Sequence, residues 1–127
     1  MMHHIAERIA ELELELFDNA FNEHTIRKEI DKGWGFAYEV DGKYVGYVLV
    51  RTVGKLSDIV RLGVRQEHRR KGIAKELLEA VLEGDGPFML FVRKNNTAAI
   101  ELYKKYGFTI AGMSDESWVM RRTTSSS

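Results

Sequence analysis

The sequence predicts a single α/β domain (α+β in some schemes) built on one mixed sheet flanked by helices, with elements in the order ααβββαβαββ. Two observations predict it. Three runs of β-forming residues follow one another in mid-chain, divided by Asp41-Gly42 and Gly54-Lys55. The later apolar run Phe88 to Val92 lies between two segments of helical periodicity. Consecutive strands joined by tight turns are antiparallel, whereas strand, helix and strand from Ser57 to Val92 read as a β-α-β unit with a parallel, right-handed crossover. A chain of 127 residues, 44% hydrophobic and 30% charged, suits one core.

Ile5, Ile9, Leu12 and Leu16 recur at helical spacing and predict a first helix. Leu12-Glu13-Leu14-Glu15-Leu16 also alternates as a strand would, but its glutamates favour helix. Glu11, Glu13 and Glu15 read as its solvated face. Asn22 is the expected cap of a second helix, Glu23 to Asp31, with Ile26 and Ile30 inward and Gly33-Trp34-Gly35 as its stop. Phe36 to Val40, Lys43 to Thr52 and Ser57 to Arg65 are the three strands. Asp41-Gly42 is a type I′ hairpin signal, because both central residues need positive φ. Ile73, Leu77, Leu78, Val81 and Leu82 give the next helix, Gly72 to Leu82, which Gly84-Asp85-Gly86-Pro87 stops. Phe88 to Val92 reads as a buried strand. A helix then opens at Asn96 or Thr97, runs to Tyr106 and closes on Gly107. Phe108 to Met113 and Trp118 to Arg122 are the last strands. The domain is expected to span residues 1–122, with 123–127 a disordered polar tail.

Lys+Arg and Asp+Glu both number 19, so the net charge is zero, which argues against a nucleic-acid-coating protein. An adaptor using Arg65, Arg69, Arg70 and Lys71 is disfavoured for the same reason. The absence of cysteine excludes a disulfide scaffold, thiolate metal sites and a cysteine nucleophile. The four histidines show no ligand spacing, so no metal is expected. No apolar run approaches the ~20 residues that span a bilayer. The opening Met1-Met2-His3-His4 lacks a signal-peptide pattern, so a cytoplasmic protein is expected.

Two stretches carry chemistry. Arg69-Arg70-Lys71-Gly72-Ile73-Ala74 lies between a strand and a helix. A helix N-terminus presents unpaired N–H groups and a positive partial charge, which together cradle phosphate. Gly72 and Ala74 allow close approach, and three cations add potential. A solvated basic first turn is the plain structural alternative. In the second stretch, Asn96 and Tyr103 lie seven residues apart, with Ala99 between them on one helical face. That leaves room for a ligand along the helix, although a cap, a small packing residue and a core tyrosine would look the same.

Taken together, in order and on suitable elements, the two stretches resemble the GNAT family of acyl-CoA-dependent N-acetyltransferases over roughly Ser57 to Phe108. The family's pyrophosphate loop, Arg/Gln-x-x-Gly-x-Gly/Ala, matches Arg69 to Ala74. Its later helix matches Asn96, Ala98, Ala99, Tyr103, Gly107 and Phe108. Val92 to Ile100 is most similar to the ribosomal-protein N-terminal alanine acetyltransferase branch. The resemblance implies transfer of acetyl from acetyl-CoA to a primary amine by direct attack through a tetrahedral intermediate. It implies backbone contacts to the cosubstrate from Leu62, Gly63 and Val64. Pyrophosphate would sit on Arg69, Arg70, Lys71, Gly72, Ile73, Ala74 and Lys75. Asn96 would touch the pantetheine arm, and Tyr103 would be the general acid toward the leaving thiolate. A backbone N–H near Val64 would stabilise the oxyanion.

The match has departures. The alanine branch has a glutamate where this chain has Phe91. The histone lysine acetyltransferase branch carries its glutamate in the preceding strand, where Asp58 stands, so Asp58 is the candidate general base. Glu39 and an ordered water are alternatives. The strand that usually precedes the first helix is missing, which leaves Phe36 to Val40 as an open edge and allows a homodimer by edge pairing. Trp34 is a core or rim aromatic that could line the acceptor site. The acceptor is a protein N-terminus, a lysine or a small amine. Without a base, a non-catalytic CoA-binding module is the alternative function.

Overall fold

The structure, a computed structural model, describes residues 2–16, 24, 25, 27, 28, 33–84 and 86–123. Its elements are α1 (Met2–Leu16), β1 (Gly33–Val40), β2 (Lys43–Val53), β3 (Leu56–Val64), α2 (Ile73–Leu82), β4 (Phe88–Arg93), α3 (Thr97–Lys105), β5 (Thr109–Ser114) and β6 (Ser117–Arg122). The helix expected over Glu23 to Asp31 lies largely outside the described residues, although His24, Thr25, Arg27 and Lys28 have helical backbone. The expected tail lies outside them from residue 124 onward.

The strands form one six-stranded sheet in the order β1-β2-β3-β4-β6-β5. Neighbours are antiparallel except β3 and β4, which are parallel and joined through α2, as the β-α-β reading requires. At the first hairpin Asp41 and Gly42 adopt φ of 51° and 79°, the left-handed pair that a type I′ turn demands. On one face Ile9 and Leu12 of α1 pack against Tyr47 and Leu49 of β2. On the other, Ile73, Leu77, Leu78 and Val81 of α2 and Tyr103 of α3 pack against Val48, Val50, Ile59, Leu90 and Val92.

Gly33-Trp34-Gly35 is not a helix stop; it is the first part of β1, paired opposite Leu49 to Arg51. A side chain at Gly35 would stand 2.4 Å from the Val48 carbonyl oxygen, so glycine is what lets β2 approach. Trp34 packs on the core, edge-on to Phe36 with ring centroids 5.7 Å apart. Phe88 to Val92 is a strand, but it is buried on one face only: Phe88, Leu90 and Val92 are buried whereas Phe91 is 53% exposed.

The glutamate face of α1 also differs from expectation. Glu13 is fully buried and Leu14 is 77% exposed. The Tyr47 hydroxyl donates to Glu13 Oε2. Arg61 grips the same carboxylate with two prongs, Nε to Oε2 at 2.9 Å and Nη2 to Oε1 at 3.1 Å. Burial, and then the bond to Glu13, push the Tyr47 phenol well above its ordinary range and keep it protonated. A bulge in β3 makes the grip possible. Ile59 pairs with Val50 and Arg61 with Leu49, leaving Val60 without a partner on β2. Alternation breaks there, so Val60 and Arg61 both turn toward α1.

Removing one partner of a buried, doubly hydrogen-bonded ion pair costs about 3–5 kcal/mol, more than the net worth of the pair. Glu13→Ala is therefore expected to lose that much stability in urea denaturation. The triple replacement Glu13→Leu, Arg61→Met and Tyr47→Phe, which leaves no polar group of the cluster unpaired, is expected to lose far less. Equal losses in the two would show that packing, not charge pairing, holds this site.

Candidate active site

The parallel pairing of β3 and β4 lasts for three registers: Ser57 with Phe88, Asp58 with Met89 and Ile59 with Leu90. Beyond Ile59, β3 continues beside β2 to Val64 and β4 beside β6 to Arg93, so the two strands part. A cavity of about 740 Å³ occupies the gap, within the usual range for a small-molecule site. Leu62, Gly63 and Val64 form one wall, and Phe91 and Val92 the other. Asn96, Ala99 and Tyr103 of α3 also line it, as do Leu16 of α1, Arg61, Arg93, and Arg69 and Ala74 at the start of α2.

The loop before α2 is shaped by its own bonds. A 3₁₀ turn spans Gln66–His68. Arg69 Nε donates to the Val64 carbonyl at 3.0 Å, which ties the loop back to the end of β3. Arg70 and Gly72 then adopt left-handed φ of 67° and 81°. Gly72 caps α2 without any side chain, and the first helical bond is from Glu76 N to its carbonyl at 3.0 Å. The N–H groups of Ile73, Ala74 and Lys75 therefore have no acceptor within the helix. The Ile73 side chain is buried in the core, so only its backbone can serve a ligand, while Arg70, Lys71, Gly72 and Lys75 are exposed.

α3 brings Asn96, Ala99 and Tyr103 to the same wall, as their spacing predicts. Asn96 is both cap and lining residue. Its Oδ1 accepts from Ala99 N at 3.3 Å, leaving the amide nitrogen to donate elsewhere. The helix closes in a Schellman arrangement: Phe108 N donates to the Tyr103 carbonyl and Gly107 N to that of Lys104, both at 3.1 Å. Gly107 supplies the required φ of 90°. The Tyr103 and Phe108 rings pack with centroids 5.7 Å apart, so the same motif that ends the helix fixes the tyrosine ring. Burial pushes the Tyr103 phenol up to about 12, and it stays protonated through the physiological range.

The two carboxylates proposed as bases are not among the cavity-lining residues. Asp58 sits in the segment where β3 still pairs with β4, opposite Arg51 of β2. Glu39 is exposed on β1, two strands from the gap. Trp34 does not line the cavity either. Among the described residues the charged side chains that do are Arg61, Arg69 and Arg93, with no aspartate, glutamate or histidine. Sequence reasoning missed Arg61, whose carboxylate partner Glu13 lies 48 positions away in sequence. It missed Arg93 as well, because the apolar run before it reads as a buried strand and the exposure of Phe91 shows only in the fold.

A family model described as "Acetyltransferase (GNAT) family" matches residues 4–108. The chain is 37% identical over 84 residues to N-alpha-acetyltransferase 20 of Dictyostelium discoideum, covering 58% of this chain and 49% of that one. It is 32% identical over 88 residues to the 5-NmdU N-acetyltransferase of Pseudomonas phage PaMx11, covering 66% and 63%. It thus spans about half the length of the first relative and under two thirds of the second. In fold it is similar to the ribosomal-protein-S18-alanine N-acetyltransferase of Escherichia coli, with TM-score 0.85 and 21% identity over 96% of this chain and 89% of that one.

A β-carbon at position 72 would meet nothing within 4 Å, so the cost of Gly72→Val is conformational, about 1–2 kcal/mol for a left-handed residue. If the unpaired N–H groups behind it hold phosphate, this variant is expected to weaken coenzyme A binding at least tenfold in calorimetry. An unchanged Kd would remove the start of α2 from the site.

Proposed function

The chain belongs to the acetyltransferase (GNAT) family, and from that premise we propose that it transfers an acetyl group from acetyl-CoA to a primary amine. The observation that carries this reading is the gap opened where β3 leaves β4, with a phenol in one wall and an unsatisfied helix start beside it. Acetyl-CoA supplies the activated acyl group as a thioester. Leu62, Gly63 and Val64 offer it the backbone edge that β4 no longer occupies, in the manner of an added strand. The N–H groups from Arg70 to Lys75, with Arg69, Arg70 and Lys71 around them, suit its pyrophosphate. Asn96 donates to the arm between.

Tyr103 holds a proton beside the cleft. A phenol held near 12 is a weaker acid than an alkyl thiol at about 8.5, so it gives up its proton only as negative charge collects on sulfur. We assign stabilisation of the developing oxyanion to a backbone N–H near Val64. Asp58 and Glu39 are outside the cavity lining, and neither is assigned the base.

We assign the activity to residues 1–122. A protein N-terminus, a lysine and a small amine all fit the acceptor class, and the names of the two relatives support an amine. Dependence on acetyl-CoA fits a cytoplasmic setting. Among the described residues no helix is long and apolar enough to cross a membrane. β1 stands at one edge of the sheet, which supports pairing with a second copy as the route to a homodimer.

Release of free thiol from acetyl-CoA, dependent on added amine, tests the reading. A non-catalytic module would bind acetyl-CoA and release none. Tyr103→Phe is expected to lower kcat by about a hundredfold or more with little change in acetyl-CoA Kd. The raised phenol also means that wild-type rate should show no loss attributable to Tyr103 below about pH 11. Unchanged kcat in Tyr103→Phe would release Tyr103 from the acid role.

A further inference from the structure

α2 and α3 hold the two ends of one ligand in the acetyl-transfer reading, and they are anchored unequally. α2 buries Ile73, Leu77, Leu78 and Val81 in the core. Its outer face is tied to the sheet as well, where the Tyr38 phenol of β1 donates to Glu76. In α3 the one buried side chain is Tyr103. Ala99, Ile100 and Leu102 are partly buried against the same core. The group assigned the proton is thus also the main anchor of its helix.

That double duty sets a problem. An α-helix carries side chains out to roughly 6 Å from its axis, so a roll of about 10° moves a side-chain atom about 1 Å. A misplacement of that size can cost about a hundredfold in rate. The Tyr103 ring packs on Phe108, but apolar packing is non-directional and does not aim a hydroxyl.

A directional bond opposes the roll. Tyr106 lies one turn beyond Tyr103, and its N–H donates to the Tyr103 carbonyl at 3.0 Å. Its hydroxyl reaches across to α2 and donates to Glu79 Oε2 at 2.6 Å. That is the length of a charge-assisted bond from hydroxyl to carboxylate, about twice as strong as a neutral one. Desolvation against the core, and then the bond to Glu79, push the Tyr106 phenol up to about 12, so it stays a donor through the physiological range. Neither residue lines the cavity, and Glu79 is exposed.

Resting on the acetyl-transfer reading, we infer that Tyr106 and Glu79 are positioning residues for the transfer: their bond locks α3 against α2 and holds the Tyr103 hydroxyl at a fixed place beside a thioester whose pyrophosphate rests on α2. Loss of the bond leaves the edge of β3 and the start of α2 intact, so acetyl-CoA still binds. It lets the phenol drift from the leaving sulfur, so the rate falls and the affinity does not.

The test uses the full chain with Tyr106→Phe, Glu79→Gln and Tyr103→Phe, singly and in pairs. Amine-dependent thiol release gives kcat, and calorimetry gives the acetyl-CoA Kd. Tyr106→Phe keeps the ring and is expected to lower kcat about tenfold with Kd within about twofold. Glu79→Gln leaves a neutral acceptor and should cost less. The pair Tyr106→Phe with Glu79→Gln should be no slower than Tyr106→Phe, because one bond joins them. Added to Tyr103→Phe, either change should alter kcat by less than about twofold, because no hydroxyl remains to be aimed. Wild-type kcat in Tyr106→Phe, or an equal loss with and without the Tyr103 hydroxyl, would overturn the inference and leave acetyl transfer standing. If Tyr106→Phe fails to fold, Glu79→Gln with and without Tyr103→Phe decides on the same terms. Unchanged kcat in Tyr103→Phe would overturn the acid role and the inference with it, and acetyl-CoA binding without thiol release in the wild type would overturn the transfer reading itself.

Discussion

β3 and β4 stay paired for three residues and then separate, and the functional geometry of this protein depends on that separation. Parallel strands buried between helices normally keep their ladder, because an unpaired backbone group away from water costs as much as a lost hydrogen bond. Here each strand keeps its outer neighbour, β2 for β3 and β6 for β4, so the ladder is lost only on the facing edges. The open edges become a binding surface for a ligand that can itself pair with peptide groups.

The separation is supported from both faces. On one, the bulge at Val60 turns Arg61 toward α1, where the buried Glu13 and Tyr47 hold it. On the other, the Schellman turn after α3 fixes the Tyr103 ring against Phe108, and Arg69 ties the loop before α2 to the carbonyl of Val64. The tie to Val64 gives Arg69 a second task beside electrostatics, that of joining the loop to the strand that lines the gap. These contacts draw on α1, β2, β3 and α3.

Most of the fold was legible because its determinants are local. Asp41-Gly42 and Gly107 need positive φ, and periodicity separates the helices from the strands. Asn96, Ala99 and Tyr103 could be placed on one wall because helical spacing alone brings them together. What escaped was set by distant partners. Glu13 looks solvated beside Glu11 and Glu15 until Arg61 and Tyr47, 48 and 34 residues on, are folded against it. Gly33-Trp34-Gly35 looks like a helix stop until Val48 closes on Gly35. Asp58 matched a relative's carboxylate by position, but position does not say on which side of the parting point a β3 residue falls, and Asp58 falls on the paired side.

The central claim is that acetyl-CoA bridges the parted strands and rests on the start of α2. Native-state amide hydrogen exchange with and without acetyl-CoA tests it most directly, because it reads protection residue by residue. The account predicts new protection in residues 60–64 of β3 and 70–75 at the start of α2, with β1 and β5 unchanged. Protection that appears elsewhere and spares both segments would contradict it.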